Sequence, residues 1–250
     1  MSSLSFLGNT SSYISIPNNA GLNFEGQDFT VEWFQYQTDT NSFPRIFQKG
    51  YHSGGISIGV SIESGTFYYW RFNSPTAVVT LDAADYKNKW VHFAICRASG
   101  VTRFYMNGAL IYTLDDTTNY TNTQPLTVAN ESNLQLSGAS FGGYLYYFHF
   151  IKGLAKYTSN FTIPFGVVPA LDETVLLLTA AGASGTLANT ITSTAGTFLI
   201  APEFPPAQPA ALRRRFRLFT DNSKVYYKPH SLASGGIGGV RNARKKARRT

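Results

Sequence analysis

Short runs of alternating apolar and polar residues recur along this chain between clusters of turn formers, and no run keeps a 3.6-residue apolar period over three turns. Ser12-Tyr13-Ile14-Ser15-Ile16 alternates and stops at Pro17-Asn18-Asn19-Ala20-Gly21. Phe29 to Tyr36 alternates again, with Phe29, Val31, Trp33 and Gln35 on one face. Arg45 to Lys49, Gly55 to Ile62 and Thr66 to Phe72 follow, divided by Gly54-Gly55 and Ser64-Gly65. Trp90 to Arg97 and Thr102 to Met106 flank Ala98-Ser99-Gly100-Val101. Asn107-Gly108 then lies between Phe104-Tyr105-Met106 and Ala109-Leu110-Ile111-Tyr112, which predicts a tight hairpin because both turn residues tolerate positive φ. Leu126 to Val128, Gly143 to Ile151 and Thr174 to Leu178 complete the set. The pattern predicts an all-β domain over residues 1–200.

Composition sharpens this picture. The 250 residues include 15 Tyr and 19 Phe, and only 14% are charged, against about a quarter in an average domain. Aromatic and hydroxyl side chains fit a pleated, half-buried surface better than a helix. The single cysteine, Cys96, excludes an intrachain disulfide framework and a cysteine-cluster metal site. It sits in an apolar run and is expected to be a small buried hydrophobe. Residues 1–8 hold no basic residue and no long apolar stretch, so no signal peptide is expected, and no run reaches the ~18 apolar residues of a membrane span. The expectation is a soluble chain made in a cytoplasm.

Charge divides the chain in two. Residues 1–200 carry 9 Lys and Arg against 12 Asp and Glu, whereas residues 201–250 carry 12 against 2. After a Gly/Ala/Ser/Thr stretch from Gly182 to Gly196 and a predicted strand from Gly196 to Ile200, residues 201–212 read as a stiff proline-rich linker. Residues 213–250 form a basic arm, with a hairpin expected around Asp221-Asn222-Ser223. Its cations fall in two patches: Arg213, Arg214, Arg215 and Arg217 around Phe216, then Arg241, Arg244, Lys245, Lys246, Arg248 and Arg249. Such patches neutralise polyanions or pair with acidic protein surfaces. The basic residues do not spread over the rest of the chain, as a nucleic-acid footprint requires.

At Trp90-Val91-His92-Phe93-Ala94 and Thr102-Arg103-Phe104-Tyr105-Met106-Asn107-Gly108 the sequence resembles the laminin-G/pentraxin-like members of the concanavalin A superfamily. The likeness extends to Phe29-Thr30-Val31-Glu32-Trp33-Phe34 and to Phe141-Gly142-Gly143-Tyr144-Leu145. The run Ile151-Lys152-Gly153-Leu154-Ala155-Lys156-Tyr157-Thr158-Ser159-Asn160-Phe161 looks like the segment closing laminin-G modules in virion proteins of phages and large DNA viruses. The resemblance covers roughly Ser12 to Pro164. It implies a jelly-roll sandwich of two antiparallel sheets, often with a ligand or calcium site at one rim. Where many relatives carry acidic residues, this chain has Tyr146 and Tyr147, so a role for those carboxylates does not carry over.

Glycosidases need two carboxylates held a few ångströms apart across the scissile bond. Here Glu32 and Glu63 stand alone in sequence, while Asp115-Asp116 and Asp172-Glu173 are adjacent pairs that a strand would point opposite ways. His52, His92, His149 and His230 have no nucleophile nearby in sequence, and His92 reads as a packing residue of the motif. The chain is expected not to be an enzyme. Asp39, Asn130 and Glu131, with Asn41 and Asn133, lie in turns where calcium could bind, although such residues also simply form turns. No other cofactor is expected. Tyr68 and Trp70 in one run, and Tyr144 and Tyr146 in another, offer flat apolar faces suited to sugars. The function expected is that of a virion structural protein, capsid-associated or of a tail fibre. Its sandwich would contact glycans or neighbouring subunits, including copies of itself, and its arm would anchor it to other virion proteins. The alternatives are a packaging protein that holds nucleic acid through the arm, and a carbohydrate-active enzyme.

Overall fold

The structure, a computed structural model, describes residues 3–50, 55–131, 138–165, 168–180, 182–186, 192–193, 219–221 and 224–226. The chain divides into two compact units, Met1–Gln208 and Pro209–Thr250. In the first, strands β1 (Leu4–Leu7), β3 (Phe29–Gln37), β8 (Trp90–Ala98), β9 (Val101–Met106), β10 (Ala109–Asp115), β12 (Gly142–Lys152), β13 (Thr174–Thr179) and β14 (Gly182–Ser184) make one antiparallel sheet. Its order is β10-β9-β8-β3-β12-β13-β14, and β1 pairs with the first residues of β12. The second sheet runs β15-β2-β11-β4-β5-β6-β7, built from β2 (Ile14–Ile16), β4 (Arg45–Lys49), β5 (Ile58–Glu63), β6 (Thr66–Arg71), β7 (Ser74–Thr80), β11 (Leu126–Val128) and β15 (Thr192–Ser193). A 3-10 turn at Ala20–Leu22 and the single-turn helix α1 (Ala83–Tyr86) are the helical pieces among the described residues. In the second unit, β16 (Phe219–Asp221) pairs with β17 (Lys224–Tyr226), Asp221 opposite Lys224. The predicted strand Gly196–Ile200, the linker and both basic patches lie outside the described residues.

The two sheets meet over an aromatic core that follows the predicted alternation. Phe29, Val31 and Trp33 are fully buried. The Trp33 ring stacks on Phe93 with centroids 5.6 Å apart and meets Phe47 edge-on at 5.9 Å. Phe67 stacks on Phe93 at 5.3 Å, and Phe148 lies 5.4 Å from Phe47. Polar groups within this layer are paired in sequence along β3: Trp33 Nε1 donates to Gln35 Oε1 at 2.8 Å, and Gln35 Nε2 to Gln37 Oε1 at 3.3 Å. Lys49, also fully buried, donates to oxygens of Asn18, Asn122 and Gln124, and burial pulls its ammonium down to about 8.

Strand β7 was not legible as a strand because Ser74-Pro75-Thr76 resembles a turn. It forms the edge of its sheet, where proline costs no ladder hydrogen bond. The register of β12 against β3 slips by one residue: Leu145 faces Gln35, yet Phe148 faces Trp33. This bulge puts Tyr146 and Tyr147 together against Phe34, on the face of the sheet opposite Trp33.

Candidate functional site

The outer face of the eight-stranded sheet holds two contrasting surfaces. Over its middle, the chain after β12 runs without strand or helix from Gly153 to Phe165 and lies across Ala94, Cys96 and Tyr105. Ala155, Tyr157 and Phe161 supply its apolar contacts, with Tyr157 and Phe161 stacked at 3.5 Å. Thr30 fixes its start: its hydroxyl donates to the Leu154 carbonyl at 2.9 Å and accepts from Lys156 N at 2.9 Å. Asn160 Oδ1 accepts from Leu110 N at 2.8 Å, and Phe161 N donates to the Gly108 carbonyl at 2.9 Å. Gly108 has φ +78°, and a Cβ there would come within 2.1 Å of the Phe161 carbonyl oxygen, so both the turn and the packing require glycine.

Beneath this strap sits Glu32, fully buried. Lys156 Nζ pairs with its Oε1, and the Tyr157 hydroxyl donates to Oε2 at 2.9 Å. His149 Nδ1 lies 3.3 Å from Oε1 and His92 Nε2 lies 3.5 Å from Oε2. Each imidazole has a second partner, His92 Nε2 at 3.1 Å from the Tyr147 hydroxyl and His149 Nε2 at 2.8 Å from Thr174 Oγ1. Burial by itself raises the Glu32 pKa, but the two imidazoles and the Lys156 ammonium outweigh it and hold the carboxyl well below its usual range. Burial lowers the His92 pKa, because an imidazolium there would be dry. The carboxylate that stands alone in sequence is thus the centre of a buried cluster drawn from β3, β8, β12 and the strap. Sequence spacing carried no sign of it, since its partners lie 60 to 125 positions away. Both imidazoles and the carboxylate are closed off from solvent, and the cluster ties the strap to the sheet. Cys96, in the same layer, is buried, and burial pushes its thiol up to about 12.

Beyond the strap, aromatic rings line the sheet, and Trp90 also packs against the Phe34, Tyr146, Tyr147 and Leu177 cluster. Trp90, Tyr36 and Tyr144 are direct cross-strand neighbours on β8, β3 and β12. All three are half-buried, with Tyr36 5.7 Å from Trp90 and 6.0 Å from Tyr144, each pair edge-to-face. Phe165, 52% exposed, meets Phe34 at 6.3 Å. Of the sugar-contact residues expected from sequence, Tyr144 belongs to this row, whereas Tyr146 is 9% exposed and packs with Phe34, Tyr147 and Leu177. Tyr36 and Trp90 were missed as partners of Tyr144 because only strand register aligns them.

On the other sheet, Tyr68 is half-buried and Trp70 only 7% exposed. The Trp70 indole N–H donates to Ser61 Oγ at 2.9 Å, and the Arg45 guanidinium lies over its ring at 4.5 Å. Arg45 pairs with Glu63 at 2.6 Å, and Ser61 Oγ donates to the same Glu63 oxygen at 2.7 Å. Glu63, like Glu32, has specific partners that its sequence neighbours did not reveal. Asp116, buried, accepts from Tyr120 at 2.6 Å and Thr102 at 2.7 Å.

Asp39 and Asn130, considered for calcium, hold hydrogen bonds in their turns. Asp39 accepts from Gly142 N at 2.6 Å through Oδ2, and from Asn41 N at 3.1 Å and Gln37 Nε2 at 3.4 Å through Oδ1. Asn130 Oδ1 accepts from Glu131 N at 2.9 Å, and its Nδ2 donates to Ser140 Oγ at 3.0 Å. Among the described residues, no group of three or more His, Cys, Asp or Glu is placed to hold a metal. Asn133 lies outside them, as do the arm's cations. No helix among them is long and apolar enough to cross a membrane.

The profile of the concanavalin A-like lectin/glucanases superfamily matches residues 7–152. The chain belongs to that family. Among solved structures it is similar to a Bacteroides ovatus protein assigned to carbohydrate binding, at 16% identity and a TM-score of 0.59, covering 80% of this chain and 62% of that one. It is also similar to a heptameric pentraxin of Limulus polyphemus, at 15% identity, TM-score 0.47 and coverage of 61% and 77%. A third is the mouse laminin α1 chain, domains LG4-5, at 14% identity, TM-score 0.46 and coverage of 67% and 48%. The family match and the Bacteroides ovatus structure agree with the two-sheet antiparallel sandwich. No curated protein sequence matches the chain.

Proposed function

We propose that this chain is a non-catalytic, glycan-contacting structural protein of a virion, whose sandwich binds sugar and whose basic C-terminal arm anchors it among other virion proteins. The observation that carries the glycan reading is the row Trp90–Tyr36–Tyr144, three half-buried rings on adjacent strands of a lectin-type sandwich. Aromatic faces take up the C–H faces of pyranoses, and tyrosine hydroxyls add hydrogen bonds at the ring edge. The Bacteroides ovatus protein of related fold, assigned to carbohydrate binding, supports the same reading. The non-catalytic part is supported by the carboxylates: Glu32 is sealed under the strap, Glu63 is paired with Arg45, and Asp116 is spent on hydroxyl donors. We assign Asp39, Asn130 and Glu131 to bracing turns rather than to calcium.

The virion part rests on the likeness of the Lys152–Phe161 run to segments that close virion modules, and on the concentration of cations after residue 212. Glycan-array and calorimetric binding of the wild-type chain, Tyr144→Ala and Trp90→Ala tests the sugar site. Binding lost at least tenfold with an unchanged melting temperature is expected; wild-type affinity in both variants would sink the assignment. For the arm, a chain ending at residue 212 is expected to stay folded and fail to enter its assembly. Incorporation at normal levels would remove the anchoring role.

A further inference from the structure

We propose that the Glu32 cluster is an acid-operated latch: protonation of His92 releases the strap Gly153–Phe165 from the outer face of the eight-stranded sheet while the aromatic core between the sheets stays closed. The geometry sets the condition. One carboxylate, Glu32, faces one ammonium, Lys156, so the closed cluster is electrically balanced. The other groups around it are neither carboxylates nor ammoniums: Tyr147 and His149 from β12, Thr174 from β13, Thr30 from β3, the Cys96 thiol from β8 and Tyr157 from the strap itself. His92 already touches Glu32 Oε2 and the Tyr147 hydroxyl through the same nitrogen, and its Nδ1 is buried without a hydrogen-bond partner. A proton added there leaves the cluster with a net positive charge, an unpaired N–H and no second acid among its contacts. Water supplies both missing partners once the strap lifts.

The strap is the element that can give way. It has no strand or helix, and Lys156 and Tyr157, the two residues that meet Glu32, belong to it. The core on the far side of β3 contains none of these groups. Opening would bare Ala94, Cys96 and Tyr105, an apolar strip now covered by Ala155, Tyr157 and Phe161. The sign of the pH effect follows from linkage. His92 in the closed state resists protonation relative to the ordinary value of 6.5, and in the open state it does not. The open form therefore binds more protons below pH 6.5, and opening grows as pH falls, by at most about tenfold per unit for one imidazole.

Hydrogen–deuterium exchange of the full chain between pH 7.5 and 5, corrected for intrinsic exchange chemistry, reads this directly. Peptides spanning 153–165 are expected to lose protection progressively below pH 6.5, by at most about tenfold per unit, while peptides of β3 and β8 keep theirs. Unchanged strap protection, or equal loss in β3, would overturn the latch. His92→Gln, which keeps a hydrogen-bonding side chain and does not titrate, is expected to flatten the pH dependence of strap protection. An undiminished dependence in that variant, with near-ultraviolet circular dichroism of the wild type, would also overturn it.

Discussion

The two faces of strand β3 are both buried, yet they are held by different physics. Toward the other sheet, Phe29, Val31 and Trp33 pack against rings from β4, β6, β8 and β12. Toward the outside, Thr30 and Glu32 are equally dry, but they are buried under the strap, which meets them with an amide, an ammonium and a phenol. Alternation therefore reports which side of a strand is apolar, not which side is wet. A carboxylate on the polar side can be interior when a later stretch of chain brings the groups that satisfy it.

Breaking the inner face should cost most. Trp33→Ala removes a fully buried ring with stacked and edge-on neighbours, and a loss of about 4–5 kcal/mol is expected in denaturant unfolding. A loss below about 1 kcal/mol would mean the inner face is not the main support. On the outer face, Glu32→Gln keeps the shape and removes the charge, leaving Lys156 facing an amide; about 2–3 kcal/mol is expected. The carboxyl is held below its ordinary value of 4.5 in the folded chain, so its contribution is present above that pH and is lost as pH falls through the depressed value. The gap between wild type and Glu32→Gln should accordingly narrow below about pH 4.5, and a constant gap would show that charge is not what Glu32 contributes. Smallest in stability are the Trp90→Ala and Tyr144→Ala changes, since neither ring is fully buried; their main effect is expected in binding.

Much of the fold was legible because its signal is local. Arg45–Lys49 and Leu126–Val128 are strands at the residues where the alternation places them, and Asn107-Gly108 turns between β9 and β10. β1 was not read as a strand, and β7 escaped notice because its proline mimics a turn. The sites were legible by residue type only. Tyr144 and Tyr146 looked equivalent and do share a face, but Tyr146 packs with Phe34 and Leu177 while Tyr144 meets Tyr36, and the bulge after Leu145 adds Tyr147 to the packing around Phe34. His92, expected to be a packing residue, is fully buried against Glu32 and Tyr147. Its meeting with Glu32 and His149 depends on strand order, which no spacing along the chain encodes.

The hairpin tip at Asn107-Gly108 has a practical consequence for anyone wishing to display a peptide or split this chain. A two-residue turn between regular strands is the usual first choice for an insertion. Here the carbonyl of Phe161 occupies the space beside Gly108, and Leu110 is tied to Asn160. A graft at that tip would prise up the covering segment and open the buried charge beneath it.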